Sequence, residues 1–176
     1  MKVLIVVDMQ NDFLHGSLRN EQGIKIIPGV VEKIKEYKKD ACEIIATRDT
    51  HYSNYLSTQE GKKLPVVHCV KDSQGWQINA DVQNALGDVL IFDKPTFGSI
   101  ELASYLTKRF YDNQSEITFE LVGVCTDICV ISNATLIKAA LPEARVCVNK
   151  NLCAGVSEKS HETALLAMQS IQIEII

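Results

Sequence analysis

The residues best suited to do chemistry in this 176-residue chain lie in Leu121-Val-Gly-Val-Cys-Thr-Asp-Ile-Cys-Val130. The stretch closes an apolar run over residues 117–122 and turns at Gly123. It continues into Val130, Ala134, Ile137 and Leu141 at helical spacing. Cys129 is therefore expected in the first turn of a helix, just past a strand. Unpaired backbone N–H groups and the positive end of the helix dipole favour a thiolate there. A strand-to-helix turn is also how nucleophile elbows present a reactive side chain. The same pattern suits a buried core cysteine, because free cysteine is among the most buried residue types.

Three further groups bear on that choice. Asp8 follows the apolar run 4–7, at the strand end where open α/β sheets place their ligands; its plainer role is to cap the next turn. Lys94 follows the apolar run 89–92 and is either a surface charge, the usual fate of lysine, or a cation steadying a carboxylate and a thiolate. Asp49 and His51 stand two apart at another strand end, a spacing that puts both side chains on one face. With Glu60 and His68 they make an oxygen and nitrogen donor set of the kind Zn²⁺, Mn²⁺ or Fe²⁺ accepts, although such residues in loops are commonly just solvated.

The elements that must position these groups are strands at residues 4–7, 43–47, 89–92, 117–122, 144–148 and 171–176. Helices are expected from Pro28-Gly29, after Gly98-Ser99, from the Cys129 turn to Pro142, and from a Ser157 cap, with residues 14–27 irregular. Trp76 is expected to pack under the adjoining loop. Alternating strands and helices predict an α/β fold: a three-layer, open, mostly parallel sheet with helices on both faces, in one domain over residues 1–176. Asp8, Asp49, Lys94 and Cys129 then share the C-terminal edge of one sheet, which coincidence explains less readily than a site does.

Composition narrows the partners. Hydrophobic residues make up 46% of the chain, enough for a buried core. The net charge of −4, with no basic block, argues against nucleic acid and anionic membrane. The N-terminal apolar run is too short for a signal peptide or a membrane span. The six cysteines are expected as reduced thiols in the cytoplasm, and the expected assembly is a homo-oligomer.

Five segments together carry a resemblance: Val7-Asp-Met-Gln-Asn-Asp-Phe13, Thr47-Arg-Asp-Thr-His51, Glu60-Gly-Lys-Lys-Leu-Pro-Val-Val-His-Cys69, Asp93-Lys-Pro-Thr-Phe-Gly-Ser99 and Gly123-Val-Cys-Thr-Asp-Ile-Cys129. Across nearly its whole length the chain resembles the isochorismatase-like cysteine hydrolases, in their nicotinamidase branch. The resemblance implies a catalytic set of Asp8, Lys94 and Cys129, and metal ligands Asp49, His51, Glu60 and His68, with zinc foremost and manganese or iron as alternatives. It also implies a cis peptide at Val124–Cys125 and an oxyanion site from the backbone N–H groups of Cys125 and Cys129. Phe13 and Phe97 are the expected substrate-binding aromatics.

The implied reaction is metal-assisted hydrolysis of a small carboxamide to acid and ammonia, foremost nicotinamide to nicotinate, with the metal holding the heterocycle nitrogen. Cysteine at position 129 argues for amide over vinyl-ether cleavage, because isochorismatases proper lack it. The branch usually carries an aromatic residue shortly before the last metal histidine, where this chain has Leu64-Pro-Val-Val67. The alternatives are another small amide, such as a carbamoyl compound or ureide, or a non-catalytic metal-holding module. Cysteine reactivity is expected to be confined mainly to Cys129, with the Cys125 side chain turned into the core.

Overall fold

The first strand, β1 (Lys2–Val7), sorts its side chains strictly by parity: Val3, Ile5 and Val7 enter one apolar cluster, Leu4 and Val6 another. Such a strand is covered on both faces, which is why its sequence is an unbroken apolar run. The computed structural model describes residues 1–176. After β1 come α1 (Asn11–Leu14), α2 (Glu21–Lys39), β2 (Glu43–Asp49), α3 (Gln59–Lys63), α4 (Ala80–Leu86), β3 (Leu90–Lys94) and α5 (Ile100–Phe110). They are followed by β4 (Thr118–Val124), α6 (Ile131–Ala140), β5 (Arg145–Ala154), α7 (Glu158–Ser170) and β6 (Glu174–Ile175). Residues from α1, α2 and α4 join Leu4 and Val6; residues from α5, α6 and α7 join the opposite cluster. No helix is long and apolar enough to cross a membrane.

The six strands run in the order β3-β2-β1-β4-β5-β6, and every pairing is parallel. The chain winds outward from β1 to β3, then crosses back to β4 and winds the other way. The switch point therefore lies between β1 and β4, the place where open parallel sheets form ligand crevices. The register aligns the strand exits: Val7 pairs with Thr47 and Gly123, and Asp49 with Lys94. Gly123 has φ +121, and a Cβ there would collide with the Val7 carbonyl, so only glycine lets β1 and β4 close up beside the crevice.

Three elements differ from the sequence expectation. α2 starts at Glu21 rather than at Pro28, because Asn20 caps it by accepting from the N–H groups of Gln22 and Gly23. Pro28 sits inside the helix, where it removes one backbone donor without ending it. β5 extends to Ala154, past a register shift opposite Leu121 and Gly123. The last strand shortens to Glu174–Ile175, because Ile171 still caps α7.

Candidate active site

Asp8 is the first residue past β1, and its backbone turns into the left-handed region at φ +48. Non-glycine residues are held there at a cost of order 1–3 kcal/mol, so the position is over-determined by its surroundings. The Asp8 N–H donates to the Thr47 carbonyl at 3.2 Å, and the Thr47 hydroxyl donates to Asp8 Oδ1 at 2.7 Å. Asp8 Oδ2 meets Lys94 Nζ at 2.7 Å.

Lys94 ends β3 and is 1% exposed, a burial that lysine tolerates only when paired. Its ammonium reaches the Thr96 carbonyl at 3.2 Å, Cys129 Sγ at 3.3 Å and Asp49 Oδ1 at 3.6 Å. Burial alone would lower the Lys94 pKa, but Asp8, Cys129 and Asp49 together raise it, so the side chain is a fixed cation.

Cys129 lies in a single π-helical turn, Thr126–Val130, between β4 and α6. The Val130 N–H donates back to the Cys125 carbonyl at 3.0 Å. Such turns occur mostly as local bulges at functional sites. Asn133, one turn on, donates to the Cys129 carbonyl at 2.8 Å and accepts the Ser99 N–H at 2.9 Å, which ties the turn to the start of α5. The Val124–Cys125 peptide is cis.

Three effects act on the Cys129 thiol. Burial pushes the Cys129 pKa well above its ordinary value; Lys94, 3.3 Å from the sulfur, pulls it down, and the Asp8 carboxylate pushes it up again. Burial likewise raises Asp8 above the usual carboxylate range against the pull of Lys94. The other cysteines behave as core residues: burial pushes Cys125 and Cys153 up to about 12 and Cys147 up to about 11. Cys125 packs in the cluster of α2 and α4, as expected. Cys42 alone is partly exposed, which makes it accessible to general thiol reagents.

Three of the four donors expected from the sequence, Asp49, His51 and His68, come together, and Glu60 stands beside the two imidazoles but outside that tight group. His51 Nε2 lies 3.0 Å from Asp49 Oδ2 and 3.6 Å from Glu60 Oε1; His68 Nε2 lies 3.4 Å and 3.8 Å from the same two atoms. The ligand atoms of Asp49, His51 and His68 fall within 4.8 Å of one another. His68 Nδ1 is 2.7 Å from the Val66 carbonyl, which must accept, so Nδ1 carries the proton and Nε2 is free to offer a lone pair. His51 Nε2 is buried without a hydrogen-bond partner despite its nearness to Asp49. Burial should lower the His68 pKa, yet Asp49, the Val66 carbonyl and Glu60 raise it. Two carboxylates and two imidazoles facing one point call for positive charge, and the mixed nitrogen and oxygen set fits a divalent transition metal better than Ca²⁺, which takes oxygen alone.

A cavity of about 430 Å³ opens onto this cluster, lined by His51, Glu60, Thr58, Lys63, Thr96 and Phe97. Phe97 is 48% exposed at its mouth. Phe13 is buried, its ring 5.8 Å from that of His68. Several contributors were not singled out from sequence. Gln10 is fully buried and clamps Asp49 by accepting its N–H at 2.7 Å and donating to its carbonyl at 2.9 Å. Thr47, Asn133 and Tyr55 act through tertiary contacts that no local pattern announces. Trp76 does pack under the loop, donating to Thr50 Oγ1 at 2.8 Å with Arg48 stacked 3.6 Å from its ring.

The family model of the isochorismatase domain matches residues 2–176. The chain belongs to the isochorismatase family. Within that family it is 31% identical to the nicotinamidase of Saccharomyces cerevisiae over 80% of this chain and 82% of that protein. It is 25% identical to the nicotinamidase/pyrazinamidase of Mycobacterium tuberculosis, over 100% of this chain and 98% of that one. The crystal structure of a pyrazinamidase from Pyrococcus horikoshii in complex with zinc superposes with a TM-score of 0.82 at 30% identity, covering 99% of this chain and 98% of that one. In this isochorismatase-family chain two groups meet at the C-terminal sheet edge, and Lys94 touches both: Asp8 at 2.7 Å and Cys129 at 3.3 Å on one side, Asp49 at 3.6 Å on the other.

Proposed function

We propose that this chain is a cysteine amidohydrolase that converts nicotinamide to nicotinate and ammonia in one domain spanning residues 1–176. The observation that carries the reading is a buried lysine that touches a carboxylate at 2.7 Å and a thiol at 3.3 Å beside a metal-ligand set. The nicotinamidase and pyrazinamidase relatives support the amide substrate.

Asp8 takes the Cys129 proton as the sulfur attacks the carboxamide carbon. Lys94 stays protonated and keeps the pair's charge balanced as the proton moves. The backbone N–H groups of Cys125 and Cys129 serve the tetrahedral oxyanion. Asp8 returns the proton to the departing nitrogen, ammonia leaves, and a thioester remains on Cys129. Water, deprotonated by Asp8, attacks the thioester; collapse frees the acid and regenerates the thiol. The raised Asp8 pKa suits it to both duties, because a base works best when its pKa approaches the operating pH. Asp49, His51, Glu60 and His68 hold a divalent metal, zinc foremost, which when bound supplies a Lewis-acid contact for the substrate's ring nitrogen. Phe13 and Phe97 flank the substrate. We place the reaction in the cytoplasm, with all six cysteines free, and take the working form to be a homo-oligomer.

A second reading, another small amide such as a carbamoyl compound or ureide, is favoured by one feature: Leu64-Pro-Val-Val67 offers no aromatic ring to stack on a pyridine. The complete buried triad opposes a non-catalytic module. Ammonia release is to be measured over nicotinamide, pyrazinamide and small ureides. The nicotinamidase reading predicts turnover of the two aromatic amides; turnover of ureides alone would replace it with the second.

A further inference from the structure

The two histidines of the donor set are held in unlike ways. The ring of His68 is fixed by a hydrogen bond from Nδ1 to the Val66 carbonyl. The ring of His51 makes no hydrogen bond of its own, and its Nε2 is a buried orphan. Apart from Asp49 Oδ2 at 3.0 Å and Glu60 Oε1 at 3.6 Å, its ring packs on two others: Tyr55 lies 4.6 Å away, tilted by 55°, and His68 lies 4.7 Å away, edge-on at 75°. Tyr55 also meets the His68 ring edge-on at 5.0 Å and 77°. At 1% exposure, Tyr55 has no solvent-facing role.

The rest of Tyr55 ties down the chain that carries the other ligands. Its hydroxyl donates to the Leu64 carbonyl at 2.9 Å, at the start of the loop leading to His68. Its carbonyl accepts the Thr58 N–H at 2.9 Å and the Thr58 hydroxyl at 2.6 Å. Thr58 in turn caps α3, the helix of Glu60, by accepting the Gly61 N–H at 3.0 Å. Gly61 lies so close against the Tyr55 carbonyl that any Cβ there would collide with it.

We infer that Tyr55 is a positioning residue for the metal centre: its ring sets the orientation of His51 and His68, and its backbone and hydroxyl fix the segments that bring Glu60 and His68 to the same point. This rests on the metal centre proposed above. The groups that orient metal ligands are normally hydrogen-bond partners, and their loss typically weakens binding about 10–100-fold. For His51 the ring of Tyr55 takes that part. A ring misdirected by a fraction of an ångström leaves the donor set intact in composition but no longer convergent.

The test is Zn²⁺ affinity, by competition with a chromophoric chelator, in wild type, Tyr55→Leu and Tyr55→Phe. Thermal melting of the metal-free proteins and the visible spectra of their Co²⁺-saturated forms complete it. Tyr55→Leu is expected to bind Zn²⁺ about 10–100-fold more weakly and to change the Co²⁺ bands, which a loss of packing alone would leave in place. Tyr55→Phe keeps the ring and loses only the Leu64 bond; it is expected to bind about 2–10-fold more weakly with wild-type Co²⁺ bands. This milder variant keeps the test open if the leucine protein fails to fold. Wild-type affinity and spectra in the folded variants would overturn the role of Tyr55 and leave the metal centre standing. Wild-type protein that binds no Zn²⁺ would overturn the metal centre and this role together.

Discussion

The two halves of the crevice solve opposite electrostatic problems. In the Asp8–Lys94–Cys129 half every charge is answered within the fold: Asp8 has the Thr47 hydroxyl and the Lys94 ammonium, and Lys94 has in addition the Thr96 carbonyl. The Asp49–His51–Glu60–His68 half is not closed in this way. It sets two carboxylates against two imidazole nitrogens at 3.0–3.8 Å, a gathering of lone-pair donors rather than a fixed cation with its anion. The first half carries its own cation; the second gathers lone pairs suited to one from outside. A fold can carry both at one sheet edge because Lys94 lies between them, 2.7 Å from Asp8 and 3.6 Å from Asp49.

Substitutions that break one half and spare the other separate these roles. The largest effect is expected for Cys129→Ala, with ammonia release falling on the order of 10⁶-fold, toward background, while Zn²⁺ affinity by chelator competition stays at the wild-type value. Asp8→Asn should lower kcat by about 10²–10⁴-fold.

Glu60→Gln should do the reverse, weakening Zn²⁺ by at least about tenfold without lowering the melting temperature of the metal-free protein. Burial and the neighbouring Asp49 raise the Glu60 pKa. In the metal-free protein its charge is then a cost at neutral pH, and the group's contribution to stability grows as pH falls through that raised value. Asp49 has the opposite sign. Burial would raise its pKa, but His51, His68 and Lys94 hold it well below the usual range. Its contribution is present above the ordinary carboxylate pKa and lost in stronger acid. Metal-free melting curves followed from neutral pH into acid, with Glu60→Gln beside wild type, would resolve the two. The smallest effect is expected for Thr47→Val, which removes one neutral donor from Asp8 and should cost roughly tenfold in kcat with Zn²⁺ affinity unmoved.

The same contrast marks how far the site could be read from sequence. The apolar runs ending in Asp8, Asp49 and Lys94 located three strand exits, and parallel pairing brought them together as expected. The α2 start was hidden because Pro28 reads as a first-turn residue, while Asn20, the true cap, sits in a stretch of weak periodicity. Helix position was visible around Cys129, and it argued for a thiolate. Burial was not visible, and it acts against that effect. Thr47, Asn133 and Tyr55 could not be picked out, because each acts on a residue at another strand exit, turn or loop through a tertiary contact. Cys42 also changes the expected labelling pattern. As the partly exposed thiol it should alkylate readily without loss of activity, so thiol reactivity alone does not identify the nucleophile.

The most direct test is therefore to catch the acyl group itself. Zinc-loaded enzyme is mixed with excess nicotinamide and quenched in acid within the first turnover. Ammonia is then quantified and the peptides are mapped by mass spectrometry. The expected result is a nicotinoyl thioester on the peptide carrying Cys129 and on no other cysteine peptide, matched by stoichiometric ammonia. A stoichiometric burst of ammonia with Cys129 unmodified, or with the acyl group on another residue, would contradict the assignment of Cys129 as nucleophile.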